Sequence, residues 1–254
     1  MTFKNEIIAA AASQLARDYC CTAEDFFSPK NKATLARKAD GQRMFREDAD
    51  FFKAAAMGHG AVISAASEML EFSAELAKKY TGAELFDEKR IWLINRKLAE
   101  FNKAITVNSI FYLPATPYKY TARGGFRLRF YEEHEIAKEL YGVKGFGNAL
   151  LYRNDKPRRD VLAVCALNGE KIMGMAGASS DSRKFWQIGI DVVPEFRGRG
   201  IGSELVSALT QAVFMHGAIP YYSTWSGNIA SQNTARRSGY YPVWTEMSAF
   251  DIEK

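Results

Sequence analysis

Hydrophobic and polar positions divide the chain into a first part with mostly helical spacing and a second part rich in strand patterns. Ile7, Ile8, Ala11, Ala12 and Leu15 fall on one face of a 3.6-residue period, which predicts an opening amphipathic helix. Thr22-Ala23-Glu24-Asp25 has the form of a capping box and is expected to start a second, short helix. Apolar runs at 51–56 and 61–65 flank Gly58-His59-Gly60, the pattern of two strands joined by a turn. Segments 67–79 and 87–101 are expected as helices, the latter carrying Ile91, Ile94, Leu98 and Phe101 as its apolar stripe. Residues 105–113 read as a strand stopped by Pro114 and Pro117.

The segment 114–125, with two prolines and two glycines, is the expected boundary between a mostly helical module (1–120) and a second unit (121–254). Beyond it, 126–130 alternates, with Phe126, Leu128 and Phe130 expected to face inward. Residues 132–141 read as helix. Strands at 160–167 and 171–178 flank Asn168-Gly169, a strong hairpin signal. A strand at 185–193 follows, its β-branched run 188–193 expected to be buried. Ile201, Leu205, Leu209 and Val213 recur every fourth residue and predict a helix. Strand 219–225, helix 229–238 closed by Gly239, and strand 243–252 complete the chain.

Composition adds exclusions. The 254 residues are 47% hydrophobic and 25% charged, an ordinary globular balance. No apolar run reaches membrane-spanning length, and the first residues lack the pattern of a secretory signal. Cys20, Cys21 and Cys165 are too few for a disulfide framework and lack metal-ligand spacing, and His59, His134 and His216 stand apart. A reduced, cytoplasmic protein without a metal is expected. The net charge of +5 comes without a long basic run. Lys156-Pro157-Arg158-Arg159, the densest cluster, is expected to be a solvated turn, and nucleic acid is not an expected partner.

The chemistry-bearing stretch is 187–202, QIGIDVVPEFRGRGIG. A strand leads through Pro194 into a glycine-rich turn and then a helix, which gathers backbone N–H groups at a positive helix end suited to a pyrophosphate. Glycine at 198, 200 and 202 suits a sharp turn and close approach of a ligand. Ser203-Glu204 after the last glycine rules out a P-loop. The spacing G-x-G-x-G, with no acidic residue after the next strand, rules out a dinucleotide fingerprint.

Val192-Val193-Pro194 followed by Arg197 to Gly202 resembles the acetyl-CoA loop of the GNAT N-acetyltransferases. A second block carries the same resemblance: Asn228, Ser231, Ala235, Gly239 and Tyr240 fall on the family's pattern after its fifth strand, and the element order from about Gly125 onward agrees. The resemblance implies an α/β fold (α+β layered), with a GNAT-type mixed, mostly antiparallel central sheet flanked by helices and a largely helical N-terminal module. It also implies an acyl-CoA-dependent N-acyltransferase that moves an acetyl group from acetyl-CoA to a small-molecule or peptide amine by direct attack. The N-terminal module would wall the acceptor side, and a homodimer is compatible with the pattern. The backbone of Ile190, Asp191 and Val192 would hold pantetheine and the acyl oxygen. The loop Arg197, Gly198, Arg199, Gly200, Ile201 and Gly202 would hold the pyrophosphate, with Asn228 and Ser231 on the pantetheine side.

Proton transfer is less defined. The family's acidic tyrosine falls on Ala235, and the glutamate that some relatives use as base falls on Ser223. Asp181, Asp191 and Glu195 are candidate bases, and Tyr221 and Tyr222 are candidate acids. Strand alternation sets Asp191 on the face opposite Ile190 and Val192. These departures leave a second reading open, a non-catalytic GNAT-fold module that binds or senses coenzyme A.

Overall fold

One ten-stranded mixed sheet runs through the chain in the computed structural model, which describes residues 2–43, 50–117, 120–121, 125–153 and 158–252. The first part supplies α1 (Phe3–Asp18), β1 (Lys32–Leu35), β2 (Phe52–Ala56), β3 (Ala61–Ala65), α2 (Ser67–Lys79), α3 (Glu88–Ala99) and β4 (Lys103–Pro114). The second supplies β5 (Arg127–Glu132), α4 (Glu133–Glu135), β6 (Asp160–Asn168), β7 (Lys171–Ser180), β8 (Phe185–Val192), α5 (Ile201–Met215), β9 (Ile219–Trp225), α6 (Ile229–Arg237) and β10 (Tyr240–Asp251). Strand order is β1-β3-β2-β10-β4-β9-β8-β7-β6-β5. The β1–β3 and β8–β9 pairs are parallel and the others antiparallel.

The N-terminal strands are therefore built into the same sheet as the C-terminal ones. β4 lies between β10 and β9, so the expected division at 114–125 separates two stretches of sequence that share one sheet. Positions 118–119 and 122–124 of that segment lie outside the described residues.

Alternation sorts the core onto two faces. Tyr112 and Tyr222 pack with α5 and α6, together with the predicted stripe Ile201, Leu205, Leu209 and Val213. Burying each aliphatic side chain of that stripe contributes about 2 kcal/mol. Their strand neighbours Phe111 and Tyr221 point to the other face, against Ile7, Ala11 and Leu15 of α1. A third cluster joins α2 and α3 to β2, β3 and the end of β10 through Phe52, Ile63, Met69, Ile94 and Met247.

The α1 face carries a buried ion cluster. Arg43 donates from Nε to Asp18 at 2.6 Å and from a terminal nitrogen to Glu246 at 2.6 Å, and Tyr19 and Trp244 also donate to Glu246. Its guanidinium lies 5.6–5.8 Å from the ring centroids of Phe111, Tyr221 and Trp244. This cluster ties the end of α1 to β10, more than two hundred residues away in sequence.

Several sequence expectations change in the fold. Phe130 is 48% exposed on β5, which is the sheet edge. Residues 132–141 form one α turn followed by a π turn at Ile136–Leu140. The Thr22 capping box opens a 3₁₀ turn, Ala23–Phe26. β1 was not legible, being four residues long with no alternation. The last strand starts at Tyr240 rather than 243, with a bulge between Pro242 and Trp244 that keeps it paired with β4. His59 sits exposed in the β2–β3 turn.

Replacing Arg43 with Met would strand two buried carboxylates. The expected loss is about 3–5 kcal/mol, read as a lower urea midpoint with unchanged m-value. A loss below 1 kcal/mol would mean that the cluster is not what fastens α1 to β10.

Candidate active site

The site is built by a ladder that stops early. β8 pairs β7 along its whole length, from Trp186↔Ser180 to Val192↔Gly174. It pairs β9 only from Phe185↔Ile219 to Ile188↔Tyr222. Beyond that point β9 continues against β4, through Ser223↔Phe111, Thr224↔Ile110 and Trp225↔Ser109. The two strands fork, and a cleft of about 740 Å³ opens between them.

Antiparallel alternation tells which backbone groups face the fork. Val193 N–H bonds the Met173 carbonyl at 3.0 Å, so Asp191 and Gly189 also exchange their backbone bonds with β7. Ile190 and Val192 therefore turn their N–H and C=O toward the fork. The expectation for Asp191 is corrected here, since its backbone groups are spent on β7. The run 188–193 is also less buried than expected; after Ile188 every residue is half-buried because one edge lines the cleft.

At the open end of the fork the chain turns through Pro194–Phe196 and enters α5. Gly198 and Gly200 hold φ of +77° and +81°, a left-handed backbone that other residues resist. Gly202 has a different reason. A Cβ there would meet Val192 at 3.5 Å and Thr234 at 3.6 Å, ordinary contacts, so its smallness leaves space in the cleft. Gly200 is the N-cap of α5 without a side-chain capping bond, and the first-turn N–H groups of Ile201 to Ser203 border the cleft. Arg197 also lines it, donating from Nε to the Val192 carbonyl at 2.9 Å. Arg199 does not line it; its guanidinium lies over Phe196.

The second block closes the opposite wall. Asn228 caps α6 by accepting from Ser231 N–H at 3.0 Å, and both residues line the cleft. The Ser231 hydroxyl lies 2.8 Å from the Tyr222 hydroxyl. Burial pushes the Tyr222 phenol above its ordinary pKa, which keeps it protonated. Ala235 is fully buried in the core under α6 and does not face the cleft. Arg237 lines the cleft from the last turn of α6, a residue that sequence reasoning missed because Arg236-Arg237 resembles an ordinary basic helix end.

Both aspartates are engaged in holding structure. Asp191 accepts from Asn148 N–H at 2.8 Å, Asn148 Nδ2 at 2.7 Å and Ala149 N–H at 3.0 Å, clamping the 146–150 segment onto β8. Directly beneath, Gly177 and Gly189 are register partners; a Cβ on them would lie 2.1 Å and 1.8 Å from the carbonyl oxygens of Ala149 and Asn148. Asp181 is buried and accepts from Arg158 Nε at 2.7 Å, from Ser179 at 2.8 Å and from the Tyr221 hydroxyl. It reaches the cleft only through other side chains. Arg158 donates to Gln187 Oε1 at 2.8 Å, and Gln187 Nε2 donates to Ser223 at 2.7 Å. The basic cluster is thus more than a solvated turn: Arg158 is drawn into the protein and Arg159 pairs with Glu133, while Lys156 and Pro157 lie outside the described residues. Glu195 is an exposed partner of Lys171, away from the cleft.

Residues 127–240 match the model of the acetyltransferase (GNAT) family. The likeness to the GNAT family lies in that segment. Solved structures similar to it include a GCN5-related N-acetyltransferase from Kribbella flavida, at 14% identity, TM-score 0.49, covering 100% of this chain and 97% of that one. A putative GNAT acetyltransferase from Novosphingobium aromaticivorans matches at 12% identity and TM-score 0.45, covering 60% and 69% of the two chains. A GCN5-related N-acetyltransferase-like protein from Streptococcus suis matches at 16% identity and TM-score 0.42, covering 64% and 68%. A search of curated proteins gave no match. The family model spans the fork, the glycine turn and both walls, and ends at Tyr240. Among the described residues no helix is long and apolar enough to cross a membrane.

Two outcomes follow from these contacts. Asp191→Ala removes the acceptor of three N–H bonds at a half-buried site, with an expected cost of about 3 kcal/mol in urea unfolding and faster amide exchange at Asn148 and Ala149. Tyr221 is buried beside Asp181, and both raise its pKa well above the ordinary tyrosine value. The native state then holds a proton that the unfolded chain releases near pH 10, so stability falls as pH rises above about 10, by up to about 1.4 kcal/mol per pH unit for this group. Tyr221→Phe should show a shallower fall in thermal midpoint across that range.

Proposed function

We propose that this chain transfers an acetyl group from acetyl-CoA to an amine by direct attack. The observation that carries the reading is the fork, where the Ile190 N–H and C=O and the Val192 N–H have no strand partner and face a cleft that ends at the open N-terminus of α5, while Arg197 takes the Val192 carbonyl. A pyrophosphate suits the helix start, with Arg197 and Arg237 adding charge nearby. The pantetheine arm is itself an amide chain and suits a strand edge with free donors and acceptors.

In this reading the amine nitrogen forms a bond to the thioester carbonyl carbon, and the carbonyl oxygen takes up negative charge. The Ile190 N–H is the donor for that oxygen. Its direction is fixed by the β7–β8 ladder, so it needs no reorganisation as charge develops. Collapse breaks the C–S bond, and the sulfur takes a proton from the Tyr222 hydroxyl. Burial keeps this phenol protonated, and Ser231 orients it. The adduct nitrogen then loses its extra proton through water to the Tyr222 phenolate, which restores the site. The N-terminal part walls the acceptor side, with Ser109 of β4 on the cleft and Gln14 of α1 accepting from Ser182 at 3.0 Å.

The burial of Ala235 and the engagement of both aspartates favour one rival, a module that binds coenzyme A without turning it over. Calorimetry with acetyl-CoA and a thiol-release assay over a panel of amines separate the two. Saturable binding with turnover is expected, and a folded wild-type protein that shows no heat at millimolar acetyl-CoA sinks both readings. Gly202→Leu should abolish binding while leaving the thermal midpoint unchanged or raised, because leucine favours helix and its branch fills the cleft. Tyr222→Phe should lower kcat about 100-fold with little change in acetyl-CoA affinity; full retention of kcat would remove Tyr222 as the acid.

A further inference from the structure

The side of the cleft away from α5 has a polarity of its own. Alternation along β8 and β9 sets Gln187 and Ser223 on the α1 face, opposite Ile190 and Tyr222, and Ser109 and Asn148 line the cleft with them. All four are neutral. Among the described residues the cleft has one carboxylate, Asp191, and it is saturated by Asn148 and Ala149. The other charged groups lining it are Arg197 and Arg237.

Hydrogen-bond direction sharpens this. A guanidinium can only donate, so the Arg158 contact at 2.8 Å fixes the Gln187 amide with its oxygen toward Arg158 and its NH₂ toward Ser223. Ser223 Oγ therefore receives an N–H at 2.7 Å, which leaves its own O–H to be donated, and the residue lines the cleft. Every bond of the chain Arg158, Gln187, Ser223 donates toward the cleft, and bonds aligned in this way reinforce one another. A cation arriving at Ser223 meets the donor end of this array and finds no free carboxylate. A lone pair or a carbonyl oxygen meets a matched partner.

From this we infer that the acceptor is an amine that enters uncharged, an arylamine or the α-amine of a peptide or aminoacyl group, rather than a polyamine or a lysine side chain. The inference rests on the acetyl-transfer reading and names the substrate class for that site. Its size follows from protonation alone. At pH 7 about one α-amine in eight is neutral, against about one lysine side chain in two thousand five hundred. A site with no base or carboxylate to help the ammonium passes that ratio, about 300-fold, directly into kcat/KM.

The test compares 4-aminobenzoate, a peptide with a free α-amine, spermidine and Nα-acetyl-lysine amide as acceptors at pH 7, with acetyl-CoA binding measured in parallel. The first two are expected to exceed the last two by about 100-fold or more in kcat/KM. Gln187→Glu keeps an oxygen for Arg158 and places a carboxylate against Ser223, so it should narrow the preference at least tenfold while acetyl-CoA affinity is unchanged. Equal or better use of spermidine or the lysine amide by the wild type overturns the inference and leaves the acetyltransferase reading standing. So does a Gln187→Glu variant with an unaltered preference. Acetyl-CoA binding without transfer to any of the four removes the catalytic reading, and the inference with it.

Discussion

The structure depends on a ladder that stops after Ile188. Two strands that began as parallel partners part because each has a better commitment on its other side: β8 to β7 through Val192, and β9 to β4 through Trp225. Unpaired backbone in a protein interior is costly, so the fork is stable only where water or a ligand supplies the missing bonds. That constraint explains the rest of the neighbourhood. The Arg197 side chain takes the Val192 carbonyl, the last exposed acceptor before the turn, while Ile190 is left facing the cleft.

The 146–150 segment is fastened to β7 and β8 beside the fork. Gly177 and Gly189, side by side in register, let the backbone of Asn148 and Ala149 lie directly on the sheet, and Asp191 fastens that segment with three bonds. Carboxylate–amide bonds of this kind are among the stronger ones in proteins. An aspartate in the middle of a strand that lines the cleft invites a catalytic role, but its surroundings assign it to this clamp. Asp181 has a similar fate: Arg158, Ser179 and Tyr221 surround it, and its influence reaches the cleft only through the amide of Gln187.

The N-terminal part is bound into the fold by the same economy of buried charge. Arg43, Asp18 and Glu246 satisfy each other between α1 and β10, while β4 inserts between β10 and β9 and forms part of the cleft wall at Ser109. A chain divided by proline and glycine content into a helical front and a sheet-forming back thus shares one sheet, and the front reaches the cleft.

What the sequence determined by itself was whatever depends on local geometry. Helix periods at 67–79 and 201–215, the hairpin at Asn168-Gly169, and the left-handed turn at Gly198 and Gly200 follow from spacing and steric permission, and the glycine turn was legible because its glycines answer a local demand. The tertiary structure decided everything that depends on which strand lies beside which. It turned Asp191's backbone away from the fork, buried Ala235, exposed Phe130 at a sheet edge and drew Arg158 inward to orient Gln187 and Ser223. No local pattern holds that information, because hydrogen-bond direction and burial belong to the pair of elements in contact, and the partners here lie as much as 227 residues apart in sequence.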